Sequence, residues 1–142
     1  MSHGNGRYLL LLACSDRKKD ADGPCRAVDL YDGPSFRTIR KLEREGRFPK
    51  TLEIYIISGK YGLISSEDII ESYDRRIDED VVRDTDARDK LRDLVSQGYA
   101  NIFINMGKEY TRHFNDILGG ATSARGRIGQ KNAQMLEWIL SL

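Results

Sequence analysis

The run Tyr8-Leu-Leu-Leu-Leu-Ala13, with four leucines in a row, leads directly into the polar string Cys14-Ser15-Asp16-Arg17-Lys18-Lys19. Side chains of a strand alternate between its two faces, so a strand apolar at every position must be covered on both. The run therefore predicts a central parallel strand, and the string after it predicts a loop at that strand's carboxyl end. So short a run can neither span a bilayer nor form a signal-peptide core, and charge rather than small residues follows it. A chain of 142 residues, 39% hydrophobic and 32% charged, is then expected to be one cytoplasmic globular domain that does not engage a membrane.

The remainder alternates between the two periodicities. Asp20 to Gly33 reads as loop, followed by a helix capped by Asp32, with Pro34 in its first turn, Gly46 past its end and Phe36, Ile39 and Leu42 facing inward. Leu52 to Ser58 is a second buried strand that exits through Ser58-Gly59-Lys60-Tyr61-Gly62. Asp78 to Gln97 places Ala87, Leu91, Leu94 and Val95 on one helical face, with Gly98 as its stop. Asn101 to Met106 is a third strand, and a helix begins at Gly107 with Tyr110, Phe114, Ile117 and Leu118 at helical intervals. A last helix runs from Gln130 to Leu142. Strands alternating with helices predict a three-layer α/β/α fold with a short, mainly parallel central sheet. In such sheets ligands bind beyond the carboxyl ends of the strands, which brings the loops at Cys14, Ser58 and Gly107 together.

Charge and rare residues narrow the chemistry. Residues 67 to 93 carry eleven acidic and six basic side chains, leaving seventeen basic against eleven acidic elsewhere, so basic patches that suit nucleic acid are expected outside that stretch. With two histidines and two cysteines, no metal site, disulfide framework or histidine-based triad is expected, and no cofactor. Cys14 reads either as a small buried hydrophobe or as a ligand contact beside Ser15. Asp16 can align water or stabilise a developing cation, and Lys18 can bind an anion or act as an amine. Gly59 permits close backbone approach, with Ser58, Lys60 and Tyr61 offering a hydroxyl, an amine and a ring. Tyr73-Asp74 pairs a stacking ring with a carboxylate able to stabilise an oxocarbenium-like sugar. Arg125, Arg127 and Lys131 precede or open the last helix and suit phosphates. The chain matches neither GxxxxGK[ST] nor GxGxxG.

Taken in order, CSxxK at Cys14 to Lys18, Leu30-Tyr31 with Phe36, SxKYGL at Ser58 to Leu63, Tyr73-Asp74, GxxY at Gly107 to Tyr110, and Ile128-Gly129-Gln130 resemble an uncharacterised bacterial and phage domain family. That family is in turn similar to the uracil-DNA glycosylase superfamily and to the CSxxK-bearing domain of archaeosine-type tRNA modification enzymes. The resemblance implies a uracil-DNA-glycosylase-like fold, with Asp16 where glycosylases hold their water-orienting or sugar-stabilising acid and Ser58 to Tyr61 near the base-recognition position. Since the first loop has no GQDPYH-like signature and no HPSP-like loop precedes the last helix, the implied base is a modified one rather than uracil.

The resulting expectation is a monofunctional DNA glycosylase that flips a modified nucleobase out of DNA and leaves an abasic site, in a setting such as antiviral defence. Asp16 or Asp74 would serve hydrolysis, Lys18 and Lys60 would hold the leaving base or phosphate, and Tyr31, Tyr61 or Tyr73 would stack. Cys14, Ser15, Ser58, Gly59, Gly107 and Tyr110 complete the expected substrate site. The competing readings are a transferase acting on 7-deazaguanine in tRNA and a non-enzymatic nucleotide or nucleic-acid binder. The base, the oligomeric state and the choice of carboxylate are left open by these residues.

Overall fold

A computed structural model describes residues 6–15, 18–19 and 23–142. Its elements run β1 (Tyr8–Ala13), β2 (Cys25–Arg26), α1 (Ala27–Leu30), α2 (Pro34–Arg44), β3 (Leu52–Ser58), β4 (Gly62–Ser65), β5 (Ile69–Ile70), α3 (Glu79–Asp84), α4 (Ala87–Val95), β6 (Asn101–Asn105), α5 (Lys108–Thr111), β7 (Thr122–Ser123) and α6 (Ile128–Leu140). The main sheet has the order β4-β3-β1-β6-β7. β1 pairs in parallel with β3 and β6, β7 extends β6 in parallel, and β4 folds back antiparallel on β3. The fold is three-layer α/β/α, as the alternating pattern requires.

The four leucines explain the layering. Leu10 and Leu12 pack with α1, α2 and α6, whereas Leu9 and Leu11 pack with α3, α4 and the α5 region. All four are buried almost completely. The connection from β1 to β3 runs through α1 and α2 on the first face, and that from β3 to β6 runs through α3 and α4 on the second. The segments leaving β1 and β6 thus diverge to opposite sides of the sheet, which opens a crevice between the two carboxyl ends. Among the described residues no helix is long and apolar enough to cross a membrane.

Several local features depart from periodicity. The acidic stretch is two helices, because Asp86 adopts φ 53° and breaks the ladder between α3 and α4. A short polar side chain is among the few that accept this left-handed conformation. Gly33, rather than Asp32, stands at the N-cap of α2, and α6 starts at Ile128 because the Gln130 side chain accepts the Arg127 amide at 2.8 Å. The segment after Gly107 holds one short helix, α5, and continues as turns through residue 117, yet Tyr110, Phe114 and Leu118 are still buried. Glycine stops lie where expected, with Gly46 at φ 68° after α2 and Gly98 at φ 80° after α4.

Arg40 ties α2 to α1. Its guanidinium donates to the carbonyls of Val28 at 2.8 Å and Tyr31 at 2.7 Å and pairs with Asp32 at 2.8 Å. Those carbonyls close α1, whose last turn has no continuing helix to satisfy them. Arg40→Ala is expected to lower unfolding free energy by about 2 kcal/mol, since hydrogen bonds from a charged donor are lost and carbonyls are left unpaired. Thermal or urea unfolding against Arg37→Ala, whose guanidinium is half exposed, measures the difference.

Candidate functional site

Three loops meet at the carboxyl ends of β1, β3 and β6, and Cys14 is the residue they share. Its amide continues the β1 ladder by donating to Ile57 at 2.9 Å, which turns the thiol toward its neighbours. The Gly59 amide donates to Sγ at 3.3 Å, and the Tyr110 hydroxyl lies 3.0 Å from it. A polar cluster lies behind the thiol. Ser58, fully buried, donates its hydroxyl to Tyr73 at 2.7 Å and accepts the amides of Lys60 at 3.1 Å and Tyr61 at 3.0 Å. Tyr73 and the fully buried Tyr31 are joined hydroxyl to hydroxyl at 2.6 Å.

The rings form an edge-to-face array: Tyr73 meets Tyr31 with centroids 6.3 Å apart and Tyr61 at 5.6 Å. Lys18 is attached to this array. It bridges to Tyr31 through the backbone, and its ammonium lies 4.6 Å from the Tyr73 ring centroid. That is a cation–π distance, and it orders a lysine that the sequence alone leaves free to wander. Burial pushes the Tyr31 phenol up to about 12, against the hydrogen bonds of Tyr73 and Ser58. Tyr73 is raised further, through burial first and then its nearness to Cys14 and Tyr31. Both phenols therefore stay protonated at neutral pH and act as hydrogen-bond relays.

Gly59 is required by space. A Cβ there would meet the Arg75 carbonyl oxygen at 2.1 Å, so the segment carrying Tyr73-Asp74 crosses directly over the Ser58–Gly62 turn. Gly62 has φ 72° and faces Thr85. The spacing of SxKYGL thus reflects a serine that caps the turn, a glycine under a crossing segment and a left-handed glycine that starts β4.

On the other side of Cys14 lies the crevice between β1 and β6, a cavity of about 340 Å³. Cys14, Ser15, Ser35, Asn105, Glu109, Tyr110 and Lys131 supply its polar groups, and Phe36, Met106 and Ile128 its apolar ones. The amino end of α2 opens onto it, with no side chain capping its first amides. Asn105 donates to Ser35 at 2.9 Å and so presents a fixed amide at the end of β6. Gly33 allows Ser15 to lie against α2, since a Cβ there would approach the Ser15 hydroxyl at 3.0 Å.

Cys14, Tyr31, Ser58, Gly59, Tyr61, Tyr73, Tyr110 and Lys18 belong to the thiol and tyrosine cluster, while Ser15, Gly107 and Lys131 line the crevice. Lys60 is exposed and stands over the ring of Tyr61 at 5.0 Å. Asp74 is exposed and does not line the crevice. Arg125 faces a neighbouring cavity, and Arg127 is the exposed N-cap of α6. Asp16 lies outside the described residues. Four participants had no sequence signal: Gly33 and Ser35 at the start of α2, Asn105 within an apolar strand, and Glu109, the one described carboxylate lining the crevice. Among the described residues no group of three or more histidine, cysteine or carboxylate side chains could hold a metal ion, and both cysteines are free.

No curated protein and no solved structure significantly matches the chain. A model of a family of unknown function, DUF6884, matches residues 9–125, a span that contains Leu9 to Ala13 of β1, the Ser58–Gly62 turn, Tyr73-Asp74 and Gly107 to Tyr110. The convergence of those segments around Cys14 is thus a property of the matched region, and the chain belongs to the DUF6884 family.

Proposed function

We propose that this protein is a DNA glycosylase that takes a modified nucleobase, extruded from DNA, into the crevice beside Cys14 and hydrolyses its bond to the sugar. The observation that carries this reading is the meeting of segments as much as 96 residues apart at Cys14, on the wall of a cavity at the switch point of a parallel sheet. Phe36, Met106 and Ile128 offer surfaces for a flat ring. The Asn105 amide and the Ser15 and Ser35 hydroxyls offer the mixed donors and acceptors that a base edge needs.

In the proposed reaction a water oxygen bonds to C1′ of the sugar as the glycosidic C–N bond breaks, and the electron pair of that bond leaves with the base. A carboxylate takes the water's proton and offsets the oxocarbenium charge. Asp16, Asp74 and Glu109 are the three candidates. Lys131, on the crevice wall, supplies positive charge toward the departing base, while Lys18 is held on the Tyr73 face behind Cys14. The resemblance to uracil-DNA glycosylases supports the same assignment, and a role in defence against phages with modified bases would follow from it.

The test is release of base from a panel of phage and synthetic DNAs carrying modified bases, followed by alkaline cleavage at abasic sites. Among Asp16→Ala, Asp74→Ala and Glu109→Gln, removal of the working carboxylate is expected to slow release about 100-fold. Absence of release from every DNA in the panel overturns the reading. A second reading, binding without cleavage, is favoured by the exposure of Asp74 outside the crevice. It predicts that the three variants hold the same DNA as the wild type and that none releases base. A tRNA 7-deazaguanine transferase would instead yield an amine-dependent product on tRNA.

A further inference from the structure

Past the crevice, the ends of β6 and β7 border a larger cavity of about 680 Å³ that shares Met106 and Lys131 with it. Three cations reach this cavity from three separate elements: Lys108 opens α5, Arg125 follows β7, and Lys131 lies near the start of α6. Thr111, Asn115 and Ser123 add hydrogen-bonding groups, and among the described residues no carboxylate lines it. Ten arginines elsewhere in the described chain are ion-paired. Lys108 and Arg125, by contrast, have no carboxylate partner among the described residues, and Lys131 donates only to the Met106 carbonyl at 3.3 Å. Three uncompensated charges around one concavity focus a positive field that the net charge of +1 conceals.

The backbone that presents Arg125 is fixed in advance. Gln134 accepts its amide at 2.9 Å and donates to its carbonyl at 2.8 Å, a two-point clamp from α6. One turn earlier Gln130 accepts the Arg127 amide, and Gly126 at φ 97° passes so close that a Cβ would meet the Gln130 side-chain oxygen at 2.2 Å. The turn is ordered by two glutamines, while its arginine head is left for a ligand.

We infer that this cavity is a phosphate-binding groove for the DNA strand flanking the nucleotide held in the crevice, with Lys131 at the junction and Lys108 and Arg125 along the strand. The inference rests on the proposed function for the identity of its occupant, but phosphate contacts are read out by binding alone.

Fluorescence anisotropy with a labelled single-stranded DNA of unmodified thymidines, titrated at several salt concentrations, tests it. A slope of log affinity against log salt near −2 is expected for three contacts, and Lys108→Ala and Arg125→Ala should each flatten it by about 0.7. Arg127→Ala and Arg112→Ala, which do not line the groove, should leave the slope unchanged. Near-UV circular dichroism confirms that each variant is folded. Failure of the wild type to bind at low salt, an unaltered slope in the Lys108→Ala/Arg125→Ala double variant, or equal losses in the two controls overturns the groove. So does sodium tripolyphosphate competing as strongly as the unlabelled strand, which would indicate a compact polyphosphate site. Flattened slopes with no base release from any DNA would sustain the groove and sink the glycosylase. Base release with unaltered slopes would do the reverse.

Discussion

Gly59→Ala is expected to destabilise the protein by about 3 kcal/mol or more and to dismantle the tyrosine cluster. The new methyl group would lie 2.1 Å from the carbonyl oxygen of Arg75 and within 3.0 Å of carbonyl carbons of Arg75 and Arg76. These are backbone atoms of a crossing segment, so no side-chain rotation can make room, and overpacking of this kind costs at the upper end of its usual range. Either the Ser58–Gly62 turn or the segment bearing Tyr73 must move. Movement of the turn removes the Gly59 amide from the Cys14 thiol, and movement of the segment separates Tyr73 from Ser58 and Tyr31. Near-UV circular dichroism of the tyrosines and thermal unfolding check both effects. Gly120→Ala, where the added Cβ meets nothing within 4 Å, should change either measurement little. Wild-type behaviour of Gly59→Ala would mean that the crossing segment does not hold the turn.

The legibility of this fold in its sequence follows from how local each determinant is. Four consecutive leucines declare a doubly covered strand because no other arrangement buries both faces, and β3 and β6 follow from similar apolar runs, whereas the two exposed polar residues of β7 carry no such signal. Asp86 was illegible since the apolar spacing continues across it, and a left-handed residue leaves no mark on periodicity when an aspartate can adopt it. β4 was hidden for a different reason. Its residues Gly62 to Ser65 directly follow a turn that looks like the end of a strand, and only pairing with β3 makes them one. Arg40 reads as a solvent-facing helical charge, yet α1, whose carbonyls it satisfies, lies in a stretch that composition marks as loop.

The site was legible as an address and not as a mechanism. The rule that loops gather at the carboxyl ends of parallel strands places Cys14, Ser58 and Tyr110 together without knowledge of any contact. It does not indicate that Cys14 separates two environments, a hydroxyl network on one side and an open crevice on the other. Nor does it find Asn105, which alternates to the polar end of an apolar strand, or Glu109, whose position depends on how soon α5 begins after Gly107. Among the described carboxylates only Glu109 lies on the crevice side of the thiol, and Asp74 lies outside it.

Tyr31→Ala is expected to cost about 3 to 5 kcal/mol, the range for removing a fully buried aromatic ring. Tyr31→Phe separates the ring from the hydroxyl. It keeps the packing against Phe36, at 5.1 Å, and removes the hydroxyl's interactions with Tyr73 and Ser58, while Tyr73 still accepts from Ser58. Its cost at neutral pH should be about 1 kcal/mol. The larger consequence is at alkaline pH. The unfolded phenol titrates near its ordinary value of 10.0, while the folded one is pushed up to about 12 by burial. Above pH 10 the unfolded state therefore releases a proton that the folded state retains, and stability falls as pH rises. The contribution is complete below pH 10 and is lost through pH 12, amounting to about 2 to 3 kcal/mol. Tyr73 is displaced in the same direction, so the decline should extend beyond that window. Urea unfolding at pH 8, 10 and 11.5 should show the wild type losing stability more steeply than Tyr31→Phe. Parallel losses in the two proteins would show that Tyr31 does not carry the alkaline transition and that its hydroxyl meets water rather than Tyr73.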